Sequence, residues 1–422
     1  MRIGHAGRRA QEASLYALLL LLPFSKAAVE LTFGGLLIGW ILERLDPATR
    51  ADTGWGSKSL RPLAIAVAVY LGVCAASVLV SDFPAKSLSG LIGKWAEYLL
   101  LFLMTADVAR RPAVIKRAFP LLAWSSFGVA AYAMCQFVQI ATRDPSRAYP
   151  DPYHPLWFYG RMLGPYENPI DLATYVMVVL FVLLGYAVTC RGAARWAVGA
   201  LMVLLTACLA KTQAVGAWLG GYAGFAALGV ASPSRWRFRW ILLIALVFAG
   251  AALLHRQGRL GEIVALADVG VQDRWAMWQA AIGMIRDRPL LGHGVNTFMA
   301  NYLAYWVGGE RQPRYAHNCY LQVAAETGLL GLAAFVALLG LLFARLLRSL
   351  PAPDAVRRAW RGQAPARPAL QAPILMLGLV GGLVAFAVQA AIDTNFYSLR
   401  QAALFWTLAG VAIGVQQHGP SS

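Results

Sequence analysis

The densest set of reactive side chains lies in the stretch His317-Asn-Cys-Tyr-Leu-Gln-Val-Ala-Ala-Glu326-Thr-Gly328. Asn318, Gln322 and Glu326 recur every four residues, which puts one polar stripe on an otherwise apolar helix. Such a stripe faces the interior of a helix bundle, either to hydrogen-bond between helices or to line a cavity. His317 precedes it, projecting about a quarter turn away. Arg311 and Arg314 stand just upstream. Further cations and polar groups recur at the ends of apolar segments: Lys94 three residues before Glu97, Arg161 in Gly-Arg-Met-Leu-Gly-Pro, Lys211, Arg274 and Asp393. Lys94 and Glu97 read either as a local ion pair or as ligand groups. Guanidinium forks match phosphate oxygens, and an imidazole can accept a hydroxyl proton near neutral pH. Nothing has the spacing of a metal cage, and no Gly-rich phosphate loop is present. This set suits transfer from a membrane-borne phosphate or diphosphate donor to a hydroxyl, with cations neutralising the leaving group.

The surrounding chain must position these groups inside a membrane. Of 422 residues, 59% are hydrophobic and only 14% are Asp, Glu, Lys or Arg. A soluble domain carries roughly 45–50% and about 25% respectively. Disorder is excluded by the same excess of apolar residues. The apolar runs are continuous rather than alternating, which argues for helices and against a β-barrel. Twelve spans are expected, near 12–25, 28–44, 62–82, 88–106, 117–141, 168–190, 194–212, 214–231, 239–254, 320–347, 372–392 and 398–416. The first two should form a hairpin around Pro23–Lys26. Residues 1–28 have the charge and apolar pattern of a cleaved signal, but in a polytopic protein such a segment is expected to stay as the first span. The fold expected is therefore an all-α integral membrane protein in three parts. Residues 1–254 hold nine spans and an outer loop near 142–167. Residues 255–319 form a long outer loop with surface helices. Residues 320–422 hold three spans.

The net charge of +17 fits loop asymmetry rather than nucleic-acid binding, since no soluble basic domain is left over. With both termini inside, the cytoplasmic segments hold 22 of the 37 Lys and Arg, including Arg110, Arg111, Lys116, Arg117, Arg235, Arg237 and Arg239. The candidate chemistry then gathers at the outer side. The inner half reads as nearly bare of polar groups, which argues against a transporter, the reading from another functional class. Five cysteines (Cys74, Cys135, Cys190, Cys208, Cys319) imply no disulfide framework. In the long loop, Trp275, Trp278, Ile282 and Ile285 share one helical face, with Asp273 as the expected N-cap and Pro289 as the stop. That helix is expected to lie on the membrane, apolar face down. Asn168-Pro169 reads as an N-cap with a first-turn proline.

Arg274-Trp-Ala-Met-Trp278, then Pro289-Leu-Leu-Gly292-His-Gly294-Val-Asn-Thr-Phe298, resembles the bacterial O-antigen ligase and polymerase superfamily. So does His317-Asn318 with Leu321, Glu326, Gly328 and Gly331 after it. The resemblance covers about residues 155–335 by motif and the whole chain by span layout. It implies a multi-pass inner-membrane glycosyltransferase acting at the periplasmic face, both termini cytoplasmic. It implies a ligase moving O-antigen from undecaprenyl diphosphate onto lipid A–core, inverting the anomeric configuration, with neither metal nor nucleotide cofactor. The partners implied are that donor, that acceptor and membrane lipids. An O-antigen polymerase or protein O-oligosaccharyltransferase of the same superfamily is the alternative. The resemblance puts the catalytic histidine on His317 and the loop arginine on Arg274, with Arg161 matching the arginine before the Gly-Pro segment. Arg161, Lys94 and Lys211 would hold the diphosphate, with Asn318, Gln322, Glu326 and Asp393 in support. The pattern departs at Thr212-Gln-Ala-Val215-Gly-Ala-Trp218, where Val215 stands at a position often occupied by arginine. Lys211, one turn earlier, is the candidate substitute.

Overall fold

A computed structural model describes residues 3–50, 60–142, 161–230, 260–308, 315–350, 358 and 368–417, with backbone alone at 50, 140–142, 230, 260–273 and 368–373. The described residues form helices joined by turns, with no strand among them. In chain order these are α1 (Ile3–Leu21), α2 (Lys26–Leu45), α3 (Arg61–Leu79), α4 (Pro84–Ala109), α5 (Pro112–Thr142), α6 (Pro169–Thr189), α7 (Ala193–Thr212), α8 (Val215–Val230), α9 (Leu260–Asp287), α10 (Cys319–Arg348), α11 (Pro368–Gln389) and α12 (Leu399–Gln416). Helices α1–α8 and α10–α12 overlap eleven of the twelve expected segments. The remaining one, 239–254, lies outside the described residues, as do Arg235, Arg237, Arg239, Arg311, Arg314 and most of the 142–167 loop. Among the described residues, six helices (α3, α4, α5, α6, α7 and α10) are long and apolar enough to cross a membrane.

The local grammar is legible at several ends. Ser25 caps α2 by accepting from the Ala28 N–H at 3.2 Å, closing the hairpin after Pro23. Asn168 caps α6 by accepting from Ile170 and Asp171 at 2.7 and 3.0 Å, with Pro169 in the first turn as expected. At the centre, α6 and α12 are enclosed by their neighbours. Every residue of α12 from Arg400 to Val415 is buried. Close backbone approach at Gly185 and Gly378 lets α6 and α11 pack against each other.

The end of the bundle opposite His317 is not bare, which corrects the sequence expectation. Glu43, its side chain 7% exposed, binds Arg8 at 2.8 Å, Arg111 at 3.0 Å and Gln11 at 2.7 Å. Asp107 binds Arg44 at 2.7 Å and the Trp40 indole at 3.0 Å. These groups sit at helix ends, where sequence reading counts them as loop charge. They are used in mutual pairing of α1, α2, α4 and the α4–α5 turn.

The surface helix also differs from expectation. It begins at Leu260, so Asp273 lies inside it and is not an N-cap. No proline interrupts residues 260–272, and the helix runs on through them. Its buried face is Met277, Ala280, Ala281 and Met284, packed with Phe298, Tyr302, Ala316 and Ala325. Of the expected apolar face, Trp275 and Ile282 are exposed while Ile285 packs against this cluster.

Candidate functional site

The site is built around a break in α10. Gly328 has φ +70 and ψ −177, a conformation open to glycine but not to residues with a Cβ. The break separates donors and acceptors that a continuous helix would pair. The Leu329 and Leu330 N–H groups donate instead to Pro289 O and Leu290 O, at 2.8 and 3.4 Å. The freed carbonyls of Ala325 and Glu326 accept from the His293 and Gly294 N–H groups, at 3.1 and 2.8 Å. Segment 289–298 is thus stitched into the gap and pairs these four backbone groups. Gly292, with φ +65, has no room for a side chain against the backbone of Glu326 and Gly328.

Glu326 fastens the same segment by its side chain. It is 1% exposed and accepts four hydrogen bonds: from the Asn296 N–H at 2.7 Å, the Phe298 N–H at 3.2 Å, the Tyr397 hydroxyl at 3.0 Å and the Gln322 amide at 3.1 Å. Gln322 in turn accepts from the Ala316 N–H at 3.2 Å, directly before His317. The interior stripe expected from sequence therefore holds for Gln322 and Glu326, as interhelical and loop-fastening bonds. It fails for Asn318. The helix starts at Cys319, so Asn318 is the N-cap and accepts from the Tyr320 and Leu321 N–H groups, both at 3.0 Å.

Lys94 reaches this cluster from α4. Residues Leu91–Ala96 form a π-helical turn, a feature that re-aims side chains and recurs at functional sites. The Lys94 ammonium donates to Asn296 Oδ1 at 2.8 Å and to the Tyr315 hydroxyl at 3.4 Å. It also lies 5.6 and 5.9 Å from the Tyr315 and Tyr397 ring centroids. The local pair with Glu97 is not made among the described residues; Glu97 has Glu30 as its charged neighbour instead. Asn296 adopts φ +62, tolerated by asparagine more readily than by most residues.

His317 itself has φ +47. Its Nδ1 is 3.6 Å from Asp393 Oδ1, with side chains 25% and 9% exposed. Asp393 is fixed by the start of α10: the Cys319 N–H donates to Ala390 O at 2.8 Å, and the Cys319 thiol to Asp393 O at 3.1 Å. Lys94, Tyr315, Tyr397 and Glu326 are thus joined by contacts, and the His317–Asp393 pair follows Tyr315 by two residues.

Arg161 is held against the end of α7. Its Nε donates to Thr212 O at 2.7 Å, and the Met162 N–H donates to Lys211 O at 3.1 Å. Burial lowers the Arg161 pKa to about 10, which leaves it charged at neutral pH. Lys211 is exposed at the end of α7, 5.0 Å from the Phe137 ring. Val215 is exposed at the start of α8. One residue on, a side chain at Gly216 would touch Ile392 at 3.3 Å, so the α7–α8 turn borders the turn that holds Asp393. Arg274 is spaced with Met277, Ala281 and Met284 on one face of α9, and that face packs with Ala316, the neighbour of His317.

Sequence reading missed Asn296, Tyr315 and Tyr397. Asn296 lay within the quoted Gly-rich motif, but its partner Lys94 is 202 positions away. His293, 2% exposed, is a structural histidine: its Nε2 lies 3.2 Å from Met284 O. Burial lowers its pKa below the ordinary 6.5, so the folded state holds it neutral while the unfolded chain takes up a proton near that value. Its contribution is intact above pH 6.5 and is lost as pH falls through the lowered value. We expect wild-type melting temperature to fall more on acidification from neutral pH than that of His293→Gln. Parallel pH curves would remove His293 from this role.

No curated protein matches the chain. The family model described as O-antigen ligase matches residues 200–336, the stretch that contains Lys211, Arg274, the stitched segment 289–298, His317 and Glu326. That match, over about a third of the chain, supports an O-antigen ligase superfamily member.

Proposed function

We propose that the protein is an inverting glycosyltransferase that ligates O-antigen from undecaprenyl diphosphate onto lipid A–core at the periplasmic face of the bacterial inner membrane. The observation that carries this reading is the His317–Asp393 pair at 3.6 Å, two residues from Tyr315, a hydrogen-bond partner of Lys94. Asp393 faces Nδ1 as a nearby charge and favours the proton on that nitrogen, which leaves Nε2 to accept the acceptor hydroxyl's proton. The acceptor oxygen attacks the anomeric carbon while the bond to the diphosphate oxygen breaks. The electron pair leaves with the diphosphate, whose charge Arg274, Arg161, Lys94 and Lys211 neutralise. Glu326, Gln322 and Asn318 hold the frame and do not react.

Arg274 is assigned bidentate contact with phosphate oxygens, which a lysine cannot reproduce. Arg274→Lys should therefore lose transfer activity in a purified assay while its amount and melting temperature stay at wild-type levels. Full activity in that variant would mean that charge alone suffices. The same assay separates ligase from polymerase. Purified protein is given carrier-linked glycan with either lipid A–core or a second carrier-linked unit, and the ligase reading predicts product only with lipid A–core.

A further inference from the structure

A cavity of about 430 Å³ lies at the His317 end of the bundle, between the α1–α2 turn, α5 and the segment before α6. Its wall includes Phe24, Lys26, Tyr132, Gln136, Glu167 and Arg400. Arg400 is 5% exposed. One of its nitrogens, Nη1, donates to Pro23 O at 2.9 Å and Pro165 O at 2.8 Å, and the guanidinium lies 4.3 Å from the Tyr166 ring centroid. Among the described residues, Nε and Nη2 have no hydrogen-bond partner, and no carboxylate lies within ion-pair distance. Asp171 and Glu167 act on Arg400 only as more distant charges. These two donors are not sealed off from the cavity, and the nearest carboxylates act on them only at a distance, so an anion entering the cavity can reach them. Two idle N–H groups side by side match the oxygens of a phosphate.

The wall of the cavity suits a lipid as the source of that phosphate. Phe24 and Tyr132, both on the wall, are 38% and 53% exposed. Below Tyr132, α5 carries the exposed side chains Trp124 (69%) and Phe127 (50%), a flank on which a hydrocarbon chain can lie. Lys26, its side chain 54% exposed, is paired with Glu167 at 2.7 Å. That exposed pair is weak enough for a phosphate to compete for the ammonium.

We propose that this cavity binds a phosphate group between Arg400 and Lys26, supplied by a lipid headgroup or by free phosphate. The site goes beyond glycan transfer, since none of its wall residues belongs to the His317 cluster. Native mass spectrometry of the purified full chain, titrated with dioleoyl phosphatidylglycerol, tests it without any glycan. A failure here is therefore separable from a failure of the ligase reading. Wild type should retain one lipid, and Lys26→Glu and Arg400→Gln should each weaken retention at least about tenfold. Dioleoylglycerol, which lacks the phosphate, should not be retained. Should Arg400→Gln fail to fold, Lys26→Glu decides, because it alters only an exposed pair. Displacement by inorganic pyrophosphate would identify the anion alone as sufficient; resistance to it would identify the headgroup with its chains. Equal retention by wild type and variants, or equal retention of dioleoylglycerol, overturns the proposal.

Discussion

Replacing His317 with alanine should abolish detectable glycan transfer while leaving the folded protein intact. Removing a general base lowers a rate by about 10²–10⁴-fold, which takes a slow transfer below detection. The fold should tolerate the change. His317 precedes α10 rather than packing within it, it is a quarter exposed, and its Nδ1 has no hydrogen-bond partner, Asp393 standing just beyond that range. The N-cap of α10 belongs to Asn318 and is untouched. The measurement is initial transfer rate with purified protein, carrier-linked glycan and lipid A–core, together with melting temperature. Near-normal transfer by His317→Ala would remove His317 from the chemistry. Because φ is +47 at this position, His317→Asn is the gentler backbone control and should be equally inactive.

The largest structural effect is expected at Glu326. Glu326→Ala removes one acceptor from four donors at once, two of them backbone N–H groups of the stitched segment. A buried donor left without a partner costs about 1–3 kcal/mol, so the combined loss should be on the order of 3–5 kcal/mol even after partial rearrangement. It also strips the nearby Lys94 ammonium of a charged neighbour. We expect a melting temperature well below that of His317→Ala, with transfer lost as a consequence of the loosened loop. Glu326→Gln, which keeps the shape and one acceptor oxygen, should fall between. Wild-type melting by Glu326→Ala would show that segment 289–298 is held by its backbone bonds alone.

The membrane character and most helix positions were legible because each depends on local composition: long apolar runs, a proline after Asn168, a turn around Pro23–Lys26. The polar stripe of α10 was legible in part. Gln322 and Glu326 face inward as their spacing requires, but the stripe absorbed Asn318, whose role is set by where the helix starts. The break at Gly328 was hidden because the apolar pattern continues through it. Only the docking of residues 289–298 explains why a helix should stop hydrogen-bonding there. The Lys94–Asn296 bond was likewise out of reach, since it depends on a π-helical turn and joins segments far apart in the chain. Glu97 was the obvious partner by spacing, yet the turn leaves it beside Glu30 instead. Arg400, unremarked in the sequence, became informative only once its two carbonyl partners and the adjoining cavity were known.

The central claim is a single displacement: one acceptor hydroxyl, deprotonated by His317, attacks the anomeric carbon as the diphosphate departs. Nuclear magnetic resonance of the new glycosidic linkage, formed by purified protein from a carrier-linked glycan of known anomeric configuration, tests this most directly. The account predicts the opposite configuration in the product. Retention of the donor's configuration would require two successive displacements or attack from the leaving group's own face, and would contradict it.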